Sequence, residues 1–158
     1  MGTVLDDSEF KSIIDHFSSL AVDTPIFSKL LDFSIESPDF EHARLRFPMR
    51  DIFIGNIVYR SLHGAVTCAM LDNVGAHAVF LKLFQKLKDE PRDKLVKRIS
   101  RIGAVNLRID YLLPGIGEEF IATSYILRMG NKVAVTRMEL RNEDDKLIAV
   151  GTGTYTVG

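Results

Sequence analysis

Hydrophobic positions recur along this chain with two periods, one helical and one extended. In residues 8–21, Phe10, Ile13, Ile14, Phe17 and Ala21 keep the spacing of one helical face. An amphipathic helix is expected there, capped by Asp6 or Asp7 and closed off by Pro25. In residues 31–48 the period shortens to two. Ala43, Leu45 and Phe47 alternate with Arg44 and Arg46, and Ser37-Pro38-Asp39 signals a turn, so two short strands are expected. Residues 48–61 hold no strong period, and Gly55-Asn56 marks a loop. Residues 63–87 are apolar nearly all round as far as Lys82. That run is too long for a strand and reads as a buried helix. Residues 86–101 turn polar, with Lys86, Lys88, Arg92, Lys94, Lys97, Arg98 and Arg101 outnumbering Asp89, Glu90 and Asp93. They read as a solvated helix end and loop.

Four strand-like runs follow. Val105, Leu107, Ile109, Tyr111 and Leu113 alternate with Asn106, Arg108 and Asp110 until Pro114-Gly115. Residues 120–127, 133–140 and 147–157 are separated by turn signals at Gly130-Asn131 and at 142–145. Three closely spaced turns predict an antiparallel meander. One long buried helix with two early and four late strands defines an α+β fold, most economically a single antiparallel sheet wrapped around the helix. The second face of such a sheet needs its own cover, for which a second subunit is a candidate.

Composition narrows the function classes. A chain of 158 residues suits one domain spanning 1–158, and 46% apolar with 26% charged residues is ordinary for a globular protein. A net charge of −1 supplies no field to recruit nucleic acid or an anionic membrane. No run is expected to span a bilayer, and no leader peptide is recognised. Cys68 is the single cysteine, so no intrachain disulfide forms and a reduced, cytoplasmic setting is expected. His16, His42, His63 and His77 show no ligand spacing, so neither metal nor other cofactor is expected.

Chemistry concentrates at the start of the long apolar segment. Asp72 sits among Ala65, Val66, Cys68, Ala69, Met70, Leu71 and Val74, where an unpartnered carboxylate is costly to bury. Its helical neighbours Ala65, Cys68, Ala69, Gly75 and Ala76 are all small, which admits either a substrate or a partner helix. His63-Gly64 falls at the helix start, where unpaired amides carry partial positive charge suited to an acyl oxygen. On one helix His63 and Asp72 lie about 13 Å apart and roughly 180° around the axis. A site that uses both therefore needs two chains, and a homodimer with shared active sites is expected, with a dimer of dimers as the larger alternative.

The run LHGAVTCAMLDNVG, residues 62–75, resembles the His-Gly-Gly…Leu-x-Asp signature of hotdog-fold acyl-CoA thioesterases. The likeness is to the phenylacetyl-CoA thioesterase-like subgroup of the 4-hydroxybenzoyl-CoA thioesterase superfamily. AVNLRIDYLLPG and KLIAVGTGTY resemble the third long strand and the final strand of that family, so the likeness covers residues 27–157. It implies hydrolysis of an acyl-CoA, with Asp72 as nucleophile or as general base toward water. The Gly64 N–H would polarise the thioester carbonyl, while His63 and Asn56 would position thioester or water. Ala65 stands where the family pair has a second glycine, the interval from Asn56 to His63 is one residue longer, and Ala104 lacks a hydroxyl that some relatives carry. Asn106 is a candidate substitute for that hydroxyl.

Ala65, Asn73, Asn106, Arg128 and Lys132 are the substrate-binding candidates. The basic stretch 86–101, Arg128 and Lys132 either face solvent or grip the phosphates of coenzyme A. Phe53, Ile54, Ile57, Val58 and Tyr59 line an acyl channel or a dimer interface, and their apolar character favours a medium-chain or aromatic acyl group. Cys68 reads as a packing residue. Two other functions fit the same fold: a non-catalytic acyl-CoA-binding protein, and a dehydratase or hydratase.

Overall fold

In chain order the elements are helix α1 (Ile26–Leu31), strands β1 (Ser34–Ile35) and β2 (Ala43–Pro48), and a hairpin of β3 (Ile54–Asn56) and β4 (Ser61–Leu62). Helices α2 (Gly64–Lys86) and α3 (Arg92–Ile99) follow, then strands β5 (Gly103–Tyr111), β6 (Glu119–Met129), β7 (Val133–Asn142) and β8 (Leu147–Thr156). The computed structural model describes residues 8, 11–12, 14–16, 26–36 and 40–158. Of the expected helix over 8–21, residues 8, 11–12 and 14–16 are helical. The rest of it, its Asp6 or Asp7 cap, Pro25 and the Ser37-Pro38-Asp39 turn lie outside the described residues.

Six strands form one antiparallel sheet in the order β1-β2-β6-β7-β8-β5, and β3 pairs with β4 beside it. The inner face follows from simple alternation. Ala43, Leu45 and Phe47 are buried, as are their partners across the β2–β6 ladder, Ser124, Ala122 and Phe120. Phe47 stacks on Phe120 with ring centroids 5.3 Å apart. Met70, Leu71, Val74, Ala78 and Leu81 of α2 join the same apolar cluster. Each large side chain removed from water there stabilises the fold by roughly 1.5–3 kcal/mol. This is the hotdog fold, a sheet wrapped around one long helix.

Several expectations are corrected by the structure. The late strands are not one meander: β6, β7 and β8 are consecutive neighbours, but β5 pairs with β8 at the sheet edge. Turn spacing does not fix pairing here, because the segment after β5 is diverted past the start of α2. The Leu112 and Leu113 amides donate to the Ile148 carbonyl, and the Leu62 amide donates to that of Gly115. Val105 breaks the alternation of β5 because the ladder shifts register between Ala104 and Asn106, a bulge that leaves Val105 exposed.

Gly55-Asn56 is strand, not loop, since β3 pairs with β4 and the loop lies at 57–60. The polar stretch contains helix α3, which the buried Leu95 docks against the body. By length and composition α2 is apolar enough to cross a bilayer, contrary to expectation, although half of that window is buried within this fold. The sheet's outer face carries ion pairs beside exposed apolar residues such as Tyr125 and Val133. Arg46 joins Glu36 at 2.6 Å and also Glu119, Arg141 meets Glu139 at 3.1 Å, and Arg108 meets Asp110 at 3.2 Å.

Candidate active site

The start of α2 is held by three neighbouring elements. The His63 amide donates to the Phe53 carbonyl at 2.7 Å, just before β3. Gly55 of β3 lies so close that a Cβ there would come 2.7 Å from His63 Cα. Tyr111 of β5 donates its hydroxyl to the Gly64 carbonyl at 2.9 Å. His63 is the N-cap of α2, its Nδ1 accepting from the Ala65 amide at 3.0 Å. That bond assigns the neutral ring's proton to Nε2. The amides of Val66 and Thr67 bond to the His63 carbonyl, and Gly64 N–H has no partner among the described residues. An unpaired donor at a helix N-terminus is ready for an anionic or carbonyl oxygen.

Two turns further along α2, Asp72 is half buried. Tyr155 of β8 points its hydroxyl at it, 3.2 Å from Oδ1 and 3.2 Å from the Asp72 carbonyl oxygen. Cys68 lies one turn before Asp72 on the same side. Burial, aided by the Asp72 charge, pushes the Cys68 thiol up, which disfavours a thiolate nucleophile. Burial first, then the Asp72 charge, also pushes the Tyr155 hydroxyl far up, so it stays protonated and donates. Tyr111 is likewise raised, chiefly by burial.

The remaining candidates are dispersed. Asn56 turns its Oδ1 back on its own loop, accepting from Val58 N at 3.0 Å and Tyr59 N at 3.4 Å. Asn73 donates to the Ala69 carbonyl one turn back at 2.8 Å. Ala65 is exposed beside the helix start. Asn106 pairs with Thr154, the neighbour of Tyr155, so it lies on the outer face with Arg108 and Asp110, away from Asp72. Ala104, opposite Tyr155, lies on the inner face. Arg128 shares a groove of about 520 Å³ with Lys82 and Lys86 near the far end of α2. Lys132 sits on the β6–β7 turn and does not line that groove.

A second groove, of about 430 Å³, runs beside Gly64 between Leu62, Thr67, Tyr111, Leu113 and Ile148. Its size matches that of small-molecule sites. Phe53 does not contribute to it. That ring is only 2% exposed, packs edge-on to Phe47 and lies under the Arg50 guanidinium. Ile57 and Val58 are 85% and 84% exposed at the tip of the β3–β4 hairpin, so in a single chain they line no channel. No cluster of His, Cys, Asp or Glu able to hold a metal occurs among the described residues.

Sequence reasoning singled out Asp72 and missed its partner Tyr155. The signal was present in GTGTY, where strand alternation puts Gly151, Gly153 and Tyr155 on one face. Two glycines there leave room for a large ring and for a closely approaching helix.

The long helix of this hotdog sheet thus carries an unpaired amide at its start and a tyrosine-bonded carboxylate two turns on. Comparison with known proteins places this fold in a family. The thioesterase superfamily model matches residues 59–149. The chain is 41% identical over 132 residues to the medium/long-chain acyl-CoA thioesterase YigI of Escherichia coli, covering 84% of this chain and 85% of that one. A crystal structure from Shewanella oneidensis, described as related to the thioesterase superfamily, superposes with a TM-score of 0.90 at 36% identity, covering 94% of this chain and 97% of the other. Mouse thioesterase superfamily member 2 shares the fold at a TM-score of 0.70 and 23% identity, covering 92% and 98% of the two chains. This chain belongs to the thioesterase superfamily.

Proposed function

We propose that this protein hydrolyses acyl-CoA thioesters in an active site shared between two copies of the chain. The observation that carries this reading is the Asp72 carboxylate, which lies on a small-residue face of α2 with one oxygen bonded to Tyr155. Family membership and the activity named for the YigI relative support the substrate class.

Gly64 and Asp72 are separated by about 12 Å along one helix, too far to serve one carbonyl group. Two antiparallel copies of α2 would remove that separation. The edge of β5 facing away from β8 is unpaired, carries exposed Val105 and Tyr111, and supports pairing of this kind. The thioester oxygen then accepts from Gly64 N–H of one copy while Asp72 of the other acts. As a general base, Asp72 takes a proton from water as the water oxygen bonds to the carbonyl carbon. The C–S bond breaks, and the leaving thiolate receives that proton. As a nucleophile, Asp72 itself bonds to the carbon, the C–S bond breaks to release the thiolate, and water then hydrolyses the anhydride, restoring the Asp72 carboxylate and giving the acid, whose proton the thiolate takes up. His63, with Nε2–H free to donate, flanks the reacting group, and Asn56 would join it once its Oδ1 leaves the Val58 and Tyr59 amides.

Leu62, Leu113 and Ile148 in the groove beside Gly64 favour a medium-length or aromatic acyl chain, and Lys86 and Arg128 in the other groove, beside the Lys82–Glu41 ion pair, supply positive charge for coenzyme phosphates. A cytoplasmic setting, where acyl-CoA is made and used, fits this activity. A panel of acyl-CoAs with free thiol as the readout tests the reading. Wild type should release thiol at least about 100-fold faster than Asp72→Asn, and Arg128→Ala should raise KM with kcat preserved. Equal rates for wild type and Asp72→Asn across the panel reject the hydrolase. Saturable binding without turnover leaves an acyl-CoA-binding protein instead.

A further inference from the structure

Tyr155 is 1% exposed on β8, yet its hydroxyl reaches the one carboxylate on the small-residue face of α2. Its place is built by two glycines on two different elements. A Cβ at Gly75 of α2 would overlap the Tyr155 hydroxyl and lie 2.6 Å from Met138 Sδ. A Cβ at Gly153 of β8 would lie 2.7 Å from Tyr155 Cε2. Both neighbours must lack side chains for the ring and its hydroxyl to fit there.

A buried tyrosine hydroxyl needs an acceptor, and the Asp72 carbonyl alone would satisfy it. The hydroxyl instead sits 3.2 Å from that carbonyl and 3.2 Å from Oδ1, a three-centre arrangement that ties the side chain to its own backbone. Asp72 Oδ2 has no hydrogen-bond partner among the described residues. The groups facing Asp72 are Cys68 on its own helix and Tyr155 from β8, with Tyr111 of β5 next to Cys68. No cation pairs with Asp72 among the described residues.

We infer that Tyr155 is a positioning residue for the thioesterase reaction: its hydroxyl holds Asp72 Oδ1 and leaves Oδ2 as the oxygen that faces water or the thioester. This rests on the assignment of Asp72 made above. Protonation of Tyr155 is secured by its burial.

The test is Tyr155→Phe, which keeps the ring in its slot and removes one oxygen. Steady-state kinetics on acyl-CoA should show kcat reduced ~10-fold, as expected for loss of one hydrogen bond to a charged group. KM should stay within about twofold, because substrate contacts are untouched. Carbon-detected NMR of the Asp72 carboxyl, which needs no turnover, should show its resonance displaced at neutral pH in Tyr155→Phe, because one oxygen has lost its donor. Gly75→Ala keeps the tyrosine but places a methyl where its hydroxyl lies, and should move both quantities in the same directions.

An unmoved Asp72 carboxyl resonance in Tyr155→Phe overturns the inference whatever happens to the rate. A moved resonance with wild-type kcat overturns it too, since the contact is then only structural. Full activity in Asp72→Asn is a separate result, which rejects the Asp72 assignment itself.

Discussion

At position 77 the fold buries a histidine on α2 and stacks it on Phe80, with ring centroids 5.8 Å apart. Burial pushes its pKa down from an ordinary 6.5 to about 4. The unfolded chain therefore binds a proton at a pH where the folded chain does not. Stability from this residue is intact above about pH 6.5 and is lost as the pH falls toward 4, by about 3 kcal/mol in all. Urea denaturation of wild type and His77→Phe between pH 7 and 4.5 should give a steeper acid loss for wild type. Parallel curves would remove His77 from the account. The same scale shows what the sequence could and could not convey. Asp72 was legible because a carboxylate in a small apolar run is anomalous wherever the run packs. Tyr155 was not, because its role depends on which helix crosses β8 and at what height. Asn56 was legible as a polar residue near the helix start, but nothing local told that its Oδ1 would cap its own hairpin loop.

At the scale of elements, α2 was readable almost to its ends, since its apolar character persists over six turns and His63 caps it. The strands β6, β7 and β8 were readable for a related reason: each alternates, and tight turns join them. The position of β5 was not readable. Its partner β8 is the strand farthest from it among the late four, and such pairing is decided by the whole sheet rather than by a turn. The same strand carries the next prediction. Val105 is displaced outward by the bulge on the unpaired edge, so a charge there costs nothing in a single chain but must be desolvated in a dimer paired across β5. Val105→Asp should weaken self-association by roughly tenfold or more in sedimentation equilibrium, with melting of the dissociated chain unchanged. An unaltered association constant would place the interface elsewhere.

Over the whole molecule, the six-stranded sheet wraps the long helix α2, with acidic and basic side chains paired on its outer face and Gly64 and Asp72 on the helix it encloses. That division was anticipated by the alternation of Ala43, Leu45 and Phe47 with arginine. The separation of Gly64 from Asp72 was legible from helical geometry. Gly64 and Asp72 share a helix yet stand about 12 Å apart along it, and that spacing has a kinetic meaning. If each reaction centre borrows its amide from one copy and its carboxylate from another, mass action governs the amount of working enzyme. Activity per milligram should then fall as the protein is diluted through its dissociation constant and return on concentration, with Val105→Asp shifting the fall to higher protein. Constant specific activity down to the monomer would mean that one chain suffices. On the shared-site reading, the length of α2 between those two residues makes catalysis a property of the pair, and the cell's supply of this chain sets how much of it is switched on.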